Sequence, residues 1–123
     1  VDIIQPDLCV CGGLLEAKKI AAVAEANYVT VAPHNPLGLL STAVCVHLAA
    51  CIPNFLILEY RGDHDRPKAQ FVDEPWRPVN GYLELPTRPG LGMELDIDAI
   101  QSHPPIQWDR GFPTLADGSP ANL

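Results

Sequence analysis

Apolar residues fall in three short runs separated by two longer stretches of helical period. Val1 to Asp7 is the first run, closed by Pro6-Asp7. Gly12-Gly13 then opens the stretch Leu14 to Ala26. There Leu14, Ala17, Ile20, Ala21, Val23 and Ala24 recur at three and four, with Glu16, Lys18, Lys19 and Glu25 between them. That spacing predicts an amphipathic helix, and its alanines favour helix and permit close packing. Tyr28 to Ala32 is a second apolar, β-branched run, closed by Pro33-His34 and followed by the loop Asn35-Pro36-Leu37-Gly38. Leu40 to Ile52 reads as a second helix that Pro53-Asn54 stops. Phe55 to Leu58 is the third run and ends at Glu59-Tyr60.

The order is β-α-β-α-β. The strands are near-continuously apolar, as expected where helices cover both faces of a sheet. Right-handed crossovers then make the three strands parallel. After residue 60 the texture changes. Arg61 to Pro78 mixes charge and proline without a period. Tyr82 to Leu85 alternates like a strand, and Met93 to Ile97 is its expected partner across the turn-rich Arg88-Pro89-Gly90-Leu91-Gly92. From Ser102 the chain is proline-rich and is expected to be irregular. The division is therefore residues 1–60, an α/β unit, and residues 61–123, an extension with a short β-hairpin.

Composition narrows the function classes. The 123 residues suit one domain with one core. With 47% hydrophobic and 19% charged residues the chain is not intrinsically disordered. Its 13 prolines and nine glycines fall mostly after residue 60 and describe a loop-rich tail. Net charge is −7, and no run of Lys and Arg offers a nucleic-acid footprint. No apolar stretch reaches the roughly 18 residues of a membrane helix. Cys9, Cys11, Cys45 and Cys51 lack zinc-site spacing and the density of a disulfide framework, so they read as free thiols of a reducing cytoplasm. Gly12-Gly13 completes neither phosphate-loop motif, and close strand–helix packing is its better reading.

Each apolar run ends in an ionisable side chain: Asp7, His34 and Glu59, 27 and 25 residues apart. Those intervals suit one βα unit each, and α/β folds place their chemistry at the carboxyl ends of strands. An Asp beside a His is a general-base pair, because the carboxylate fixes the imidazole tautomer and stabilises the imidazolium. A protonated Glu on the next strand hydrogen-bonds a developing oxyanion. Plainer readings stand beside these. Asp7 can begin a turn, His34 can be a buried histidine satisfied by backbone, and Glu59 can pair with Arg61 in solvent. His47 reads as a packing or surface residue, and His64 and His103 as solvated. Three βα units do not close a barrel of about 250 residues. The chain opens on Val1 without a methionine, straight into a strand-like run, and is read as the last three-eighths of a barrel rather than as a small open α/β binding domain.

The stretch DIIQPDLCVCGGLLEAKKIAAVAE, then APHNPLG, PNFLILEY and the tail GYLELPTRPGLGMELD, resembles the enolase superfamily. Within it the likeness is to the mandelate racemase subgroup, nearest the galactonate dehydratase-like acid-sugar dehydratases of carbohydrate metabolism. The resemblance implies a TIM-type (β/α)8 barrel with a capping domain built from the chain's two ends. Val1–Asp7, Tyr28–His34 and Phe55–Glu59 map to the sixth, seventh and eighth strands, and residues 61–123 to a segment that packs on the capping domain. It implies that His34 abstracts the proton alpha to a carboxylate, that Asp7 orients it, and that Glu59 helps stabilise the enediolate. The family's Mg2+ is held at the third to fifth strands, so its ligands would precede Val1, as would the acid/base group of the opposite face and the His that protonates the leaving hydroxide. The implied partners are a sugar-acid substrate, the remainder of the barrel or a second chain, and further copies in a homo-oligomer. On this reading the 123-residue chain alone is inactive. Alternatives are a racemase or epimerase of the same superfamily and a non-catalytic remnant. Two departures stand out: Leu39 occupies the place of a proline in the family's HNPLGP, and Cys11 stands where small or polar residues are commoner.

Overall fold

The computed structural model describes residues 1–65, 67–107 and 114–119. A short strand, β1 (Ile3–Ile4), leads to helix α1 (Leu14–Glu25). Strand β2 (Thr30–Val31) follows, and then helix α2 (Leu39–Cys51). β1 and β2 pair in parallel, Ile3 with Thr30 and Ile4 with Val31. Two parallel bridges extend the ladder, Asp7 to His34 along the same strands and Val31 to Phe55 on the far side of β2. The three apolar runs therefore lie side by side and parallel, with β2 in the middle. The regular strands are shorter than the runs because prolines interrupt the donors: Pro6 and Pro33 have no N–H to give.

α1 buries Ala17, Ala21 and Ala24, a stripe at spacings of four and three. Only small residues there let the helix lie close on the sheet. Its entry uses Gly12 and Gly13 at φ 108° and 88°, a region that favours glycine. Its exit places Tyr28 at φ 59°, with the Val29 N–H returning to the Ala24 carbonyl. Asn54 then staples this exit, its Nδ2 donating to the carbonyls of Ala21 (3.0 Å) and Val29 (2.9 Å). α2 ends where expected. Ile52, extended at φ −117°, precedes Pro53, which disfavours a helical neighbour.

Two clusters make the core. Leu8, Ala17, Ala21, Ala24, Val31, Cys45, Leu48 and Ile52 lie between sheet and helices. Leu39, Ala43, Val72 and Met93 lie between α2 and the later segment. Residues beyond 60 thus pack on the amino-terminal half of α2. Burial pushes the Cys45 thiol up to about 12. All four cysteines are free. Among the described residues no helix is long and apolar enough to cross a membrane.

The expected hairpin of Tyr82–Leu85 with Met93–Ile97 does not form. Asn80 and Gly81, both at positive φ (51° and 84°), make a two-residue turn that pairs Tyr82 with Val79. Leu95 instead bridges Val72, flanked by the bonds Asp73 N–H to the Glu94 carbonyl and Asp96 N–H to the Phe71 carbonyl. Ile97 starts a further helix, α3 (Ile97–Gln101), because the Asp96 carboxylate caps it by accepting from the Ala99 N–H. Of the tail expected to be irregular, residues 108–113 and 120–123 lie outside the described residues.

Candidate active site

Pro6 precedes Asp7, and Pro33 precedes His34, so neither strand continues its ladder past these points without the flanking residue. The His34 N–H closes the last rung by donating to the Pro6 carbonyl (3.2 Å). That rung sets the two side chains abreast. His34 Nδ1 lies 2.9 Å from Asp7 Oδ2. A carboxylate only accepts, so the proton of a neutral imidazole sits on Nδ1 and the lone pair on Nε2. Asp7 is itself fixed, since its Oδ1 accepts from the Cys9 N–H at 2.8 Å. Exposure separates the roles: the Asp7 side chain is 13% exposed and that of His34 48%. A shielded carboxylate thus holds an imidazole whose other face meets solvent, which is the geometry of a general base with its orienting partner.

Glu59 belongs to the same edge but not to the dyad. Its Oε2 accepts from the Asn35 N–H at 2.7 Å. Its main-chain carbonyl accepts from Asn35 Nδ2 at 3.0 Å. It makes no ion pair with Arg61, which donates instead to the Pro36 carbonyl (3.1 Å). Lys68 donates to the neighbouring Leu37 carbonyl (2.8 Å). The loop after His34 is thereby tied down by two cations from beyond residue 60.

On sequence, Asn35 and Lys68 have no assigned role, and Arg61 enters only as an ion-pair partner for Glu59. Asn35 carried a signal, an amide directly after the strand-end histidine; the two cations carried none, because their partners are carbonyls. His47 packs as expected, its Nδ1 against the Ala43 carbonyl (2.8 Å). His64 departs from the expectation of solvation. It stacks on Tyr60, meets the Tyr60 hydroxyl through Nδ1 and lies 3.0 Å from Asp65 through Nε2. Burial raises the Tyr60 phenol above its ordinary range. His103 stays exposed but is not loose, with its Nδ1 2.8 Å from the Ala99 carbonyl and its ring edge-on to Phe71.

Among the described residues no three His, Cys, Asp or Glu side chains converge to hold a metal ion. Asp7 is engaged with His34 and Cys9, and Glu59 with Asn35. The described residues therefore do not form a Mg2+ site by themselves.

A family model described as enolase C-terminal domain-like matches residues 1–99. The D-xylonate dehydratase of Haloferax volcanii is 43% identical over 103 residues, which are 84% of this chain and 25% of that protein. An enolase from Agrobacterium radiobacter, a candidate galactarate dehydratase solved with Na and L-malate, superposes with a TM-score of 0.84 at 45% identity. The match covers 100% of this chain and 35% of that one. A candidate mandelate racemase/muconate lactonizing enzyme from Labrenzia alexandrii gives a TM-score of 0.82 at 41% identity, over 89% of this chain and 28% of its own. The chain thus spans about a quarter to a third of the length of these relatives.

Proposed function

The chain belongs to the enolase C-terminal domain-like family, and from that premise we propose that it is the carboxyl-terminal part of an acid-sugar dehydratase, a hydro-lyase. On this reading the three parallel runs are the sixth to eighth strands of a (β/α)8 barrel. Residues 61–123 reach the capping domain, and the complete protein is a homo-oligomer. The observation that carries the proposal is the Asp7–His34 pair, joined at 2.9 Å on adjoining parallel strand ends, with no described residue bonded to the outer imidazole nitrogen.

The chemistry follows from that geometry. His34 Nε2 takes the proton alpha to the substrate carboxylate, and the C–H electrons move into that carboxylate as an enediolate. Asp7 faces the resulting imidazolium and stabilises it. Glu59, when protonated, donates to the enediolate oxygen. The electrons then return to expel the hydroxyl group from the next carbon, which leaves as water with a proton from the His that the family resemblance implies elsewhere in the barrel. The enol that remains becomes a 2-keto-3-deoxy acid. Mg2+, which the family resemblance implies, would neutralise the second negative charge, and its ligands are assigned to other parts of the complete barrel. The relatives named for D-xylonate and galactarate dehydration support a sugar acid as substrate.

The mandelate racemase likeness favours a second reading, epimerisation at the same alpha carbon. A panel of sugar acids given to the complete protein with Mg2+ separates the two. Dehydration is expected to yield a 2-keto-3-deoxy acid, detected as its semicarbazone. An alpha epimer without that product would overturn dehydration in favour of epimerisation.

A further inference from the structure

Asn35 is 1% exposed, yet it sits between the solvent-facing His34 and Pro36. An unpaired buried polar group is costly, and since the amide Oδ1 has no partner among the described residues, the donors alone hold it. All its donors are used. The main-chain N–H goes to Glu59 Oε2 (2.7 Å), and Nδ2 goes to the Glu59 carbonyl (3.0 Å) and to Thr42 Oγ1 (2.9 Å). The Glu59 carbonyl can only accept, which fixes the amide with its nitrogen toward the third strand. Asn35 thus grips both the backbone and the carboxylate of Glu59, and through Thr42 anchors that grip to the first turn of α2.

The geometry points to Asn35 as the positioning residue that sets Glu59 relative to His34 and assigns Glu59 Oε1 as the oxygen that donates to the substrate. Since Asn35 directly follows His34, one residue couples the base on one strand to the acid on the next. Its N–H occupies Oε2, so the proton of a neutral Glu59 resides on Oε1, to which no described residue donates. The inference deepens the proposed dehydratase reading and rests on it.

Asn54 supplies an internal control. Its Nδ2 also bonds two main-chain carbonyls, at the opposite end of the same strands and away from Glu59. In the complete enzyme, Asn35→Ala and Asn54→Ala should both lower the thermal midpoint. Asn35→Ala alone should lower kcat, by about 10²-fold as expected for a misplaced catalytic group, with KM for the sugar acid little changed. Asn35→Ser, which keeps one donor in the same space, should recover part of that loss, and it carries the test where the alanine variant does not fold. Equal kcat in the Asn35 and Asn54 variants, measured per folded enzyme, would reduce Asn35 to a structural role. Alpha-proton exchange surviving in His34→Asn would instead overturn the dehydratase reading itself, so the two failures are distinguishable.

Discussion

Asp7 does two tasks with two oxygens, and each is separately testable. Oδ1 closes a turn on the Cys9 N–H and Oδ2 holds His34. Asp7→Asn keeps the shape, but its amide can present a donor to Nδ1 and favour the wrong tautomer. It also withdraws the charge that stabilises the imidazolium. The expected result in the complete enzyme is a fall in kcat of about 10²-fold or more, with the fold intact by circular dichroism. Unchanged kcat would make Asp7 a turn residue only. Both dyad members were legible in the sequence, because each ends an apolar run one βα unit from the other. The partner of Glu59 was not legible. The natural expectation was a charge, Arg61, whereas the structure uses a main-chain N–H, and backbone donors leave no mark on the sequence.

Elements were legible wherever one periodicity ran unbroken. α1 was expected over Leu14 to Ala26 and α2 over Leu40 to Ile52; they span Leu14–Glu25 and Leu39–Cys51. Past residue 60 the structure is set by turns and side-chain clasps, which have no period. Asn80-Gly81 and the Asp96 cap were the local signals there, and both outrank the alternation of Tyr82–Leu85. The Asp73 carboxylate is the main clasp. It accepts from the N–H groups of Glu94 (2.8 Å) and Glu74 (2.8 Å) and from Arg88 (2.6 Å). The Glu94 N–H first, and then the Arg88 guanidinium, hold Asp73 below the usual carboxylate range. A carboxyl lowered in the folded state contributes stability above its unfolded value, about 3.9, and that contribution is lost as pH falls through the lower folded value. In the complete protein, Asp73→Asn should therefore be less stable than wild type near pH 6 in a urea titration. The gap should narrow as pH falls below the ordinary carboxylate range. A gap independent of pH would mean that the charge of Asp73 is immaterial.

The whole molecule leaves apolar surface at both lateral edges of its sheet. Ile3 is exposed on the β1 side, and Leu56 and Ile57 on the other, where a cavity of about 640 Å³ runs between α2, residues 55–58 and the Tyr82 turn. Unpaired strand edges seek partners. Covering about 400 Å2 of apolar surface contributes on the order of 10 kcal/mol, comparable to the net stability of a domain. The 123-residue polypeptide expressed alone should therefore associate or bind a hydrophobic dye, and should show no turnover. A monomer with a sharp two-state unfolding transition would contradict this. His34 is the proposed base that the strand ends present to a carboxylate substrate. The most direct test of this claim is exchange of the substrate's alpha proton in D2O, followed by NMR, for the complete enzyme and its His34→Asn variant. Exchange in the wild type that is abolished in the variant, with sugar-acid binding retained, is the predicted result. Exchange that persists in His34→Asn at the wild-type rate would contradict the claim and leave the Asp7–His34 pair as a structural contact.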